Sequence, residues 1–275
     1  MFKNKSFIIG IIISLAISVV IIFPVYWMII VSLKNEVELF SNPYGFFPKE
    51  WNPIGYITNI QDNKVFIWMK NSVIVSGFAV IISTTVSCLA AYALSRFRFK
   101  FNKVILASSI STQMIVPAAI IAPIYLMLNS INMTNSFTGL AIVEAAFQLG
   151  FSMNVLKSFF DNVPIQLDEA AKIEGCSEFT IFKKIILPLS KPAVVSVLLI
   201  SFFDIYNEFL YSSTLITDIN KWLGPAGIAS NTSRVGVNWT VTLSQTVIFS
   251  VIPLVLYFTL QRNIIRGLTT GSVKG

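Results

Sequence analysis

A chain of 275 residues that is 55% hydrophobic and only 12% charged carries too little polar surface to be an ordinary soluble domain. Its net charge of +7 comes from Lys and Arg at the edges of apolar runs rather than along one face, which argues against a nucleic-acid partner and for membrane topology. With no His and only two cysteines, Cys88 and Cys176, far apart and without ligand-type neighbours, the chain offers neither a disulfide scaffold nor a metal site nor His-based acid–base chemistry.

Residues 7–33 form the first apolar run, behind Lys3 and Lys5. The run outlasts a signal-peptide core of ~7–15 residues and lacks a small-residue cleavage site, so it is expected to be retained as a helix. The mixed segment 34–70, with Pro43, Pro48 and Pro53 among Tyr44, Trp51 and Tyr56, is expected to be a short irregular cap outside the membrane. Apolar spans follow at about 71–94, 104–128, 138–160, 192–216 and 239–260, each near the ~20 residues that cross a bilayer. The result is an all-α membrane protein, residues 1–275 forming a single domain with six transmembrane helices. Ser83, Ser87, Ala91 and Ser95 recur at every fourth position, a smooth ridge along which another helix can approach. Pro117, Pro123 and Pro253 lie within apolar spans and are expected to bend or break them.

Orientation follows Lys and Arg, because acidic residues contribute little to the topological rule. Six of the 20 basic residues, Lys34, Lys49, Lys64, Lys70, Lys221 and Arg234, fall in segments 34–70 and 218–238, and the connector 129–137 has no charge. The others lie at the termini, at 95–103 and in or beside the loop 161–191, which places both termini and that loop in the cytoplasm.

Within the 161–191 loop, Pro164 suits the first turn of a helix and Gly175 the left-handed residue that ends one. Leu167, Ala170, Ala171 and Glu174 form one stripe at i, i+3, i+4 and i+7, nearly flat where it carries the alanines, so this face is suited to a groove in another protein. Ser177 is a candidate N-cap for a second segment, where Phe179, Phe182 and Ile186 recur at helical spacing and anchor the loop to the bundle along the membrane surface. Pro188 and Pro192 bracket the entry into the fifth span.

The stretch Glu169-Ala170-Ala171-Lys172-Ile173-Glu174-Gly175, followed at fixed spacing by Ile185-Ile186-Leu187-Pro188, resembles the EAA loop of ABC-transporter permeases. Ala93-Leu94-Ser95-Arg96-Phe97-Arg98-Phe99, Asn207-Glu208-Phe209-Leu210 and the tail from Gln261-Arg262 to Gly275 extend the resemblance to MalG-type permeases of carbohydrate ABC importers over the whole chain. Glu174 stands where Asp commonly precedes the glycine, and Tyr206 where Trp is usual. The resemblance implies a type I ABC importer permease in the cell membrane, with a MalF-like second permease, two copies of a cytoplasmic ATPase and an extracellular solute-binding protein as partners, and a sugar as substrate. It also implies that Glu169, Ala170, Ala171, Glu174 and Gly175 form the ATPase-coupling helix, and that the 218–238 loop, with Trp222, Gly224, Pro225 and Gly227, reaches toward the binding protein. The resemblance further implies that ATP and Mg belong to the partner ATPase, and the glycine-bearing tail of this chain has neither the Gly-Lys-Ser/Thr nor the preceding strand of a P-loop.

Ionisable groups at membrane depth are costly unless they face a partner or water, and Glu144, Asp204 and Glu208 are acidic residues in apolar spans. Asp204, Asn207 and Glu208 at i, i+3 and i+4 form one polar face that, with Gln148 and Phe151 of the fourth span, suits either a sugar path or a sister-subunit contact. The same acids leave room for a proton-driven secondary transporter or an intramembrane enzyme, although no nucleophile and base stand at a diagnostic spacing.

Overall fold

The computed structural model describes residues 2–98, 100–233 and 236–270, with side chains left aside at 2–9, 232–233 and 262–270. Phe99 of the basic aromatic motif, Arg234 and the tail signature from Gly271 lie outside the described residues, as do the side chains of Lys3 and Lys5. The chain folds as two compact units, one built from Met1–Phe66 and Gly227–Val251, the other from Ile67–Ala226 and Ile252–Gly275.

In the first unit, α1 (Phe2–Ser32) carries Pro24 without a break and exposes its apolar side chains from Ile11 to Val25, as a lipid-facing helix does. The segment expected to be irregular contains two short helices, α2 (Glu36–Ser41) and α3 (Ile54–Asp62), and α4 already begins at Lys64. Local chemistry explains the helices: the Asn35 side chain accepts from Glu38 N at 2.7 Å to cap α2, and Asn63 ends α3 in the left-handed region at φ 54°. Lys34 is fully buried, donating to Gly45 O at 2.7 Å and Asn42 O at 3.3 Å with its ammonium 5.5 Å from the Trp27 ring centre. Asn59 donates to Ser244 Oγ at 2.8 Å and accepts from Gln245 Nε2 at 2.8 Å, and Gln245 in turn accepts from Asn231 Nδ2 at 2.6 Å. These bonds join α3 to the first turns of α14 (Trp239–Thr270) and to the short antiparallel ladder of Thr232–Ser233 with Gly236–Val237.

The second unit is built around α4 (Lys64–Arg96) and α7 (Phe137–Asp161). Ser83, Ser87 and Ala91 of the small-residue ridge are all buried, and Ser87 Oγ donates to Leu149 O at 3.3 Å, so the ridge packs α4 on α7. The span expected at 104–128 is two helices, α5 (Asn102–Gln113) and α6 (Pro117–Ser130), meeting at 102°. Pro117 at the first position of α6 holds Val116 extended, at φ −73° and ψ 118°, and breaks the run. Pro123 and Pro253, by contrast, sit inside continuous helices. A Cβ on Gly150 would lie 2.5 Å from Ser109 O, which is why α5 and α7 can approach so closely.

Beyond α7 come α8 (Ile165–Ile173), α9 (Glu178–Ile181), a π turn at Phe182–Ile186, α10 (Leu187–Leu189) and α11 (Lys191–Tyr206). The span expected at 192–216 is interrupted at 207–209 and resumes as α12 (Leu210–Leu215); a 3-10 turn at Ile219–Lys221 and α13 (Gly224–Ala229) complete the chain. One apolar core joins α4, α6, α7, α11 and α12 around Leu140, Ile205 and Leu215, and a second joins α4, α7, α8, α9 and α11 around Leu156, Phe160 and Ile181. Among the described residues four helices are long and apolar enough to cross a membrane, and six spans result if α5 with α6, and α9–α10 with α11, are each one bent span.

Candidate functional site

The polar loop between α7 and α11 carries a short helix, α8, of about two and a half turns. Pro164 is its N-cap residue, one position earlier than expected, and Glu174 its C-cap. Gly175 adopts φ 83°, its N–H bonds Lys172 O at 3.0 Å, and Cys176 N–H bonds Ala171 O at 2.9 Å. These are the two bonds of a Schellman motif, which satisfy carbonyls that the helix end would otherwise leave bare. Ser177 then caps α9, its hydroxyl accepting from Thr180 N at 3.3 Å.

Rotation of α8 about its axis is set by charge. Arg96, the last residue of α4, places Nε 2.7 Å from Asp168 Oδ2 and donates from Nη2 to Val163 O at 2.9 Å. Asp168 and Ala171 therefore face inward and are buried, while Glu169, Ala170, Ile173 (88% exposed) and Glu174 face outward. The stripe expected to carry both alanines on one docking face is thus split: Ala170 is presented and Ala171 is packed. Ala171 joins the second core, because a side chain i+3 from Asp168 shares its face.

Lys172 Nζ lies 2.5 Å from Glu178 Oε1, and Tyr92 Oη of α4 donates to Glu178 Oε2 at 3.1 Å. Hydrogen bonding to Glu178 holds the Lys172 ammonium above its ordinary value, and the same bond, helped by Tyr92, holds the Glu178 carboxyl below the usual carboxylate range. Both side chains are near half-exposed, so the pair orients the loop more than it stabilises it. In the segment after Ser177, Ile181, Phe182 and Ile186 are buried, while Phe179 is 65% exposed. The anchor to the bundle therefore runs through Ile181 rather than Phe179.

The proposed polar face of the fifth span is not one stripe, because α11 ends at Tyr206. Glu208 turns away to cap α12, its carboxylate accepting from Tyr211 N at 2.8 Å and Ser212 N at 3.0 Å. Asp204 and Asn207 are exposed; Gln148 reaches Ser201 Oγ at 2.8 Å and Asp204 Oδ2 at 3.4 Å, and Asn207 bonds back to Phe203 O at 2.9 Å. Phe151 is half-buried. Glu144 is buried, and its Oε1 has no hydrogen-bond partner. Gln148 and Asp204 thus meet at an accessible face with Asn207 exposed at the end of α11, whereas Glu144 is buried and Glu208 half-buried.

The start of the 218–238 loop is tucked in rather than loose. Asn71 donates to Asn220 O at 2.9 Å and Trp222 O at 3.0 Å, Trp68 donates to Ile219 O at 3.1 Å, and Ser72 Oγ accepts from Gly224 N at 2.9 Å. Gly224 and Gly227 are buried and Trp222 and Pro225 half-buried, which leaves Ile219, Asn220, Ala229 and Ser230 exposed among residues 218–231. Among the described residues no three His, Cys, Asp or Glu side chains are grouped as a metal would need.

Comparison with known proteins places these features. Residues 83–270 match the model of the family described as "Binding-protein-dependent transport system inner membrane component". Relatives include the trehalose/maltose transport system permease protein MalG of Thermococcus litoralis, 31% identical with 95% of each chain covered. The probable ABC transporter permease protein YurM of Bacillus subtilis is 29% identical over 94% of this chain and 85% of its own. Among solved structures, a chain of a bacterial ABC transporter involved in the import of the acidic polysaccharide alginate superposes with a TM-score of 0.79 at 17% identity, covering 94% of this chain and 96% of that one. A chain of the MetNI methionine ABC transporter superposes with a TM-score of 0.60 at 13% identity, over 74% of this chain and 94% of that one.

Proposed function

Since the chain belongs to the family of binding-protein-dependent transport system inner membrane components, we propose that it is the permease subunit of an ATP-driven importer whose solute is a sugar or oligosaccharide. The observation that carries the reading is α8: a short helix in a polar loop, closed by Gly175, anchored along Asp168 and Ala171 and presenting Glu169, Ala170 and Glu174. Such a helix can occupy a cleft of a separate ATPase, which supplies ATP and Mg; this chain binds neither. A MalF-like second permease, two ATPase copies and an extracellular binding protein complete the complex, with the 161–191 loop and both termini in the cytoplasm. The carbohydrate assignment draws on relatives named for trehalose/maltose, diacetylchitobiose and sulfoquinovosyl glycerol transport. In the solute path, Asp204, Asn207 and Gln148 offer acceptors and amides to sugar hydroxyls.

Gentle purification of the tagged chain, with identification of co-eluting subunits, tests the assembly. Uptake of labelled maltose, trehalose and diacetylchitobiose is then measured with a proton ionophore present and cellular ATP held constant. Uptake that persists, together with a co-eluting ATPase, is the expected result. Uptake abolished by the ionophore at constant ATP would assign a secondary transporter instead.

A further inference from the structure

We propose that Arg96 is a positioning residue that ties the coupling helix to α4, so that force arriving at α8 enters the bundle through the end of α4. The proposal rests on the importer reading above. Along the chain, α8 is joined to α7 through Asn162–Pro164 and to α9 through Gly175–Ser177. Both joints interrupt the helical hydrogen bonding, so neither conveys displacement along a continuous helix. By contrast α4 is an unbroken helix of 33 residues, and its last turns hold the loop on both sides.

Arg96 Nη2 meets Val163 O just before α8 at 2.9 Å, and Nε meets Asp168 in its first turn at 2.7 Å. The guanidinium thus bears on the loop at two points, by a hydrogen bond to Val163 O ahead of α8 and by an ion-pair contact with Asp168 within it, a reach that the single nitrogen of an ammonium does not reproduce. The side chains of Arg96 and Asp168 are 7% and 5% exposed, and neither Arg96 Nε nor Asp168 Oδ1 makes a hydrogen bond, so the pair is held by charge. The buried carboxylate depends on Arg96 for its compensation, so separating the two leaves an unpaired charge away from water. One turn earlier on the same face of α4, Tyr92 holds Glu178 at 3.1 Å, and Glu178 holds Lys172 of α8. Two residues later, Arg98 is exposed.

The test uses the complete complex in proteoliposomes, carrying Cys88→Ala and Cys176→Ser, with spin labels at Leu89 of α4 and Gln166 of α8, both exposed. The distance between the labels is measured in the resting complex and after trapping with MgATP and orthovanadate. One narrow distance common to both states is expected when Arg96 and Asp168 are intact. In Arg96→Gln and in Asp168→Asn the distance should change on trapping although the complex assembles, and Arg96→Lys should fall between. An unchanged distance in both Arg96→Gln and Asp168→Asn overturns the proposal. So does a distance that changes on trapping with the pair intact. Failure of all three variants to assemble assigns the pair a purely structural role and overturns it as well. If the intact complex contains no ATPase to trap, the importer reading fails on its own, without recourse to any substitution at position 96 or 168.

Discussion

At Gly175 the backbone, not the side-chain environment, sets the residue type. No atom lies within 4 Å of where a Cβ would stand, yet φ is 83°. A side chain there would find space and still cost about 1–2 kcal/mol in backbone strain, most for a β-branched residue. Gly175→Val is therefore expected to reach the membrane at normal abundance while the C-terminal turn of α8 loosens and the co-purifying ATPase loses its solute-stimulated activity. Gly175→Asn, which tolerates the left-handed region, should retain most of it; equal activity of the valine and glycine forms would contradict this. Position 168 shows the opposite logic: Asp168 is not legible as a site residue because an acidic residue in a polar loop normally faces water, as its neighbour Glu169 does. The only signal available was Arg96 at the end of an apolar helix, a cation 72 residues away whose partner periodicity alone does not identify.

At the scale of elements, helices appear where apolar runs predict them, and the differences arise where backbone hydrogen bonding is interrupted. Pro117 at the head of α6 divides one expected helix into two, but the same residue type at Pro123 and Pro253 leaves helices intact. Composition does not separate these cases. The helical loop, its Gly175 terminus and the Ser177 cap were legible because each is a local device with its own residue signature. The split of α11 from α12 was not, since Asn207 and Glu208 at the break read equally well as a polar stripe on one continuous helix. Glu208 makes that break possible by accepting from two N–H groups at the start of α12. Glu208→Ala should lower unfolding stability in detergent by about 1 kcal/mol through loss of the cap. Glu208→Gln, which keeps an acceptor oxygen, should recover part of that loss in the same thermal unfolding measurement.

For the whole molecule, the decisive quantity is which loops meet which side of the membrane. In a background of Cys88→Ala and Cys176→Ala, single cysteines at Ser41 and Asn231 are expected to react with an impermeant thiol reagent on intact cells, and one at Gln166 only after the cells are opened. Labelling at position 166 from outside would invert the orientation and remove α8 from the reach of a cytoplasmic ATPase. The π turn at Phe182–Ile186 bears on how this loop can vary in length. Ile181 and Ile186 are both fully buried although five residues apart, a spacing that an α-helix, at 100° per residue, would put on faces 140° apart. The wide turn takes up one extra residue and swings Ile186 back to the core. Deleting a residue inside it would restore an ordinary helix with both isoleucines still inward, whereas a deletion within α8 or α11 would rotate everything beyond it by 100°. Within the helical part of the loop, a one-residue gap that preserves the fold is thereby accommodated at this turn, where chain length and side-chain orientation are uncoupled.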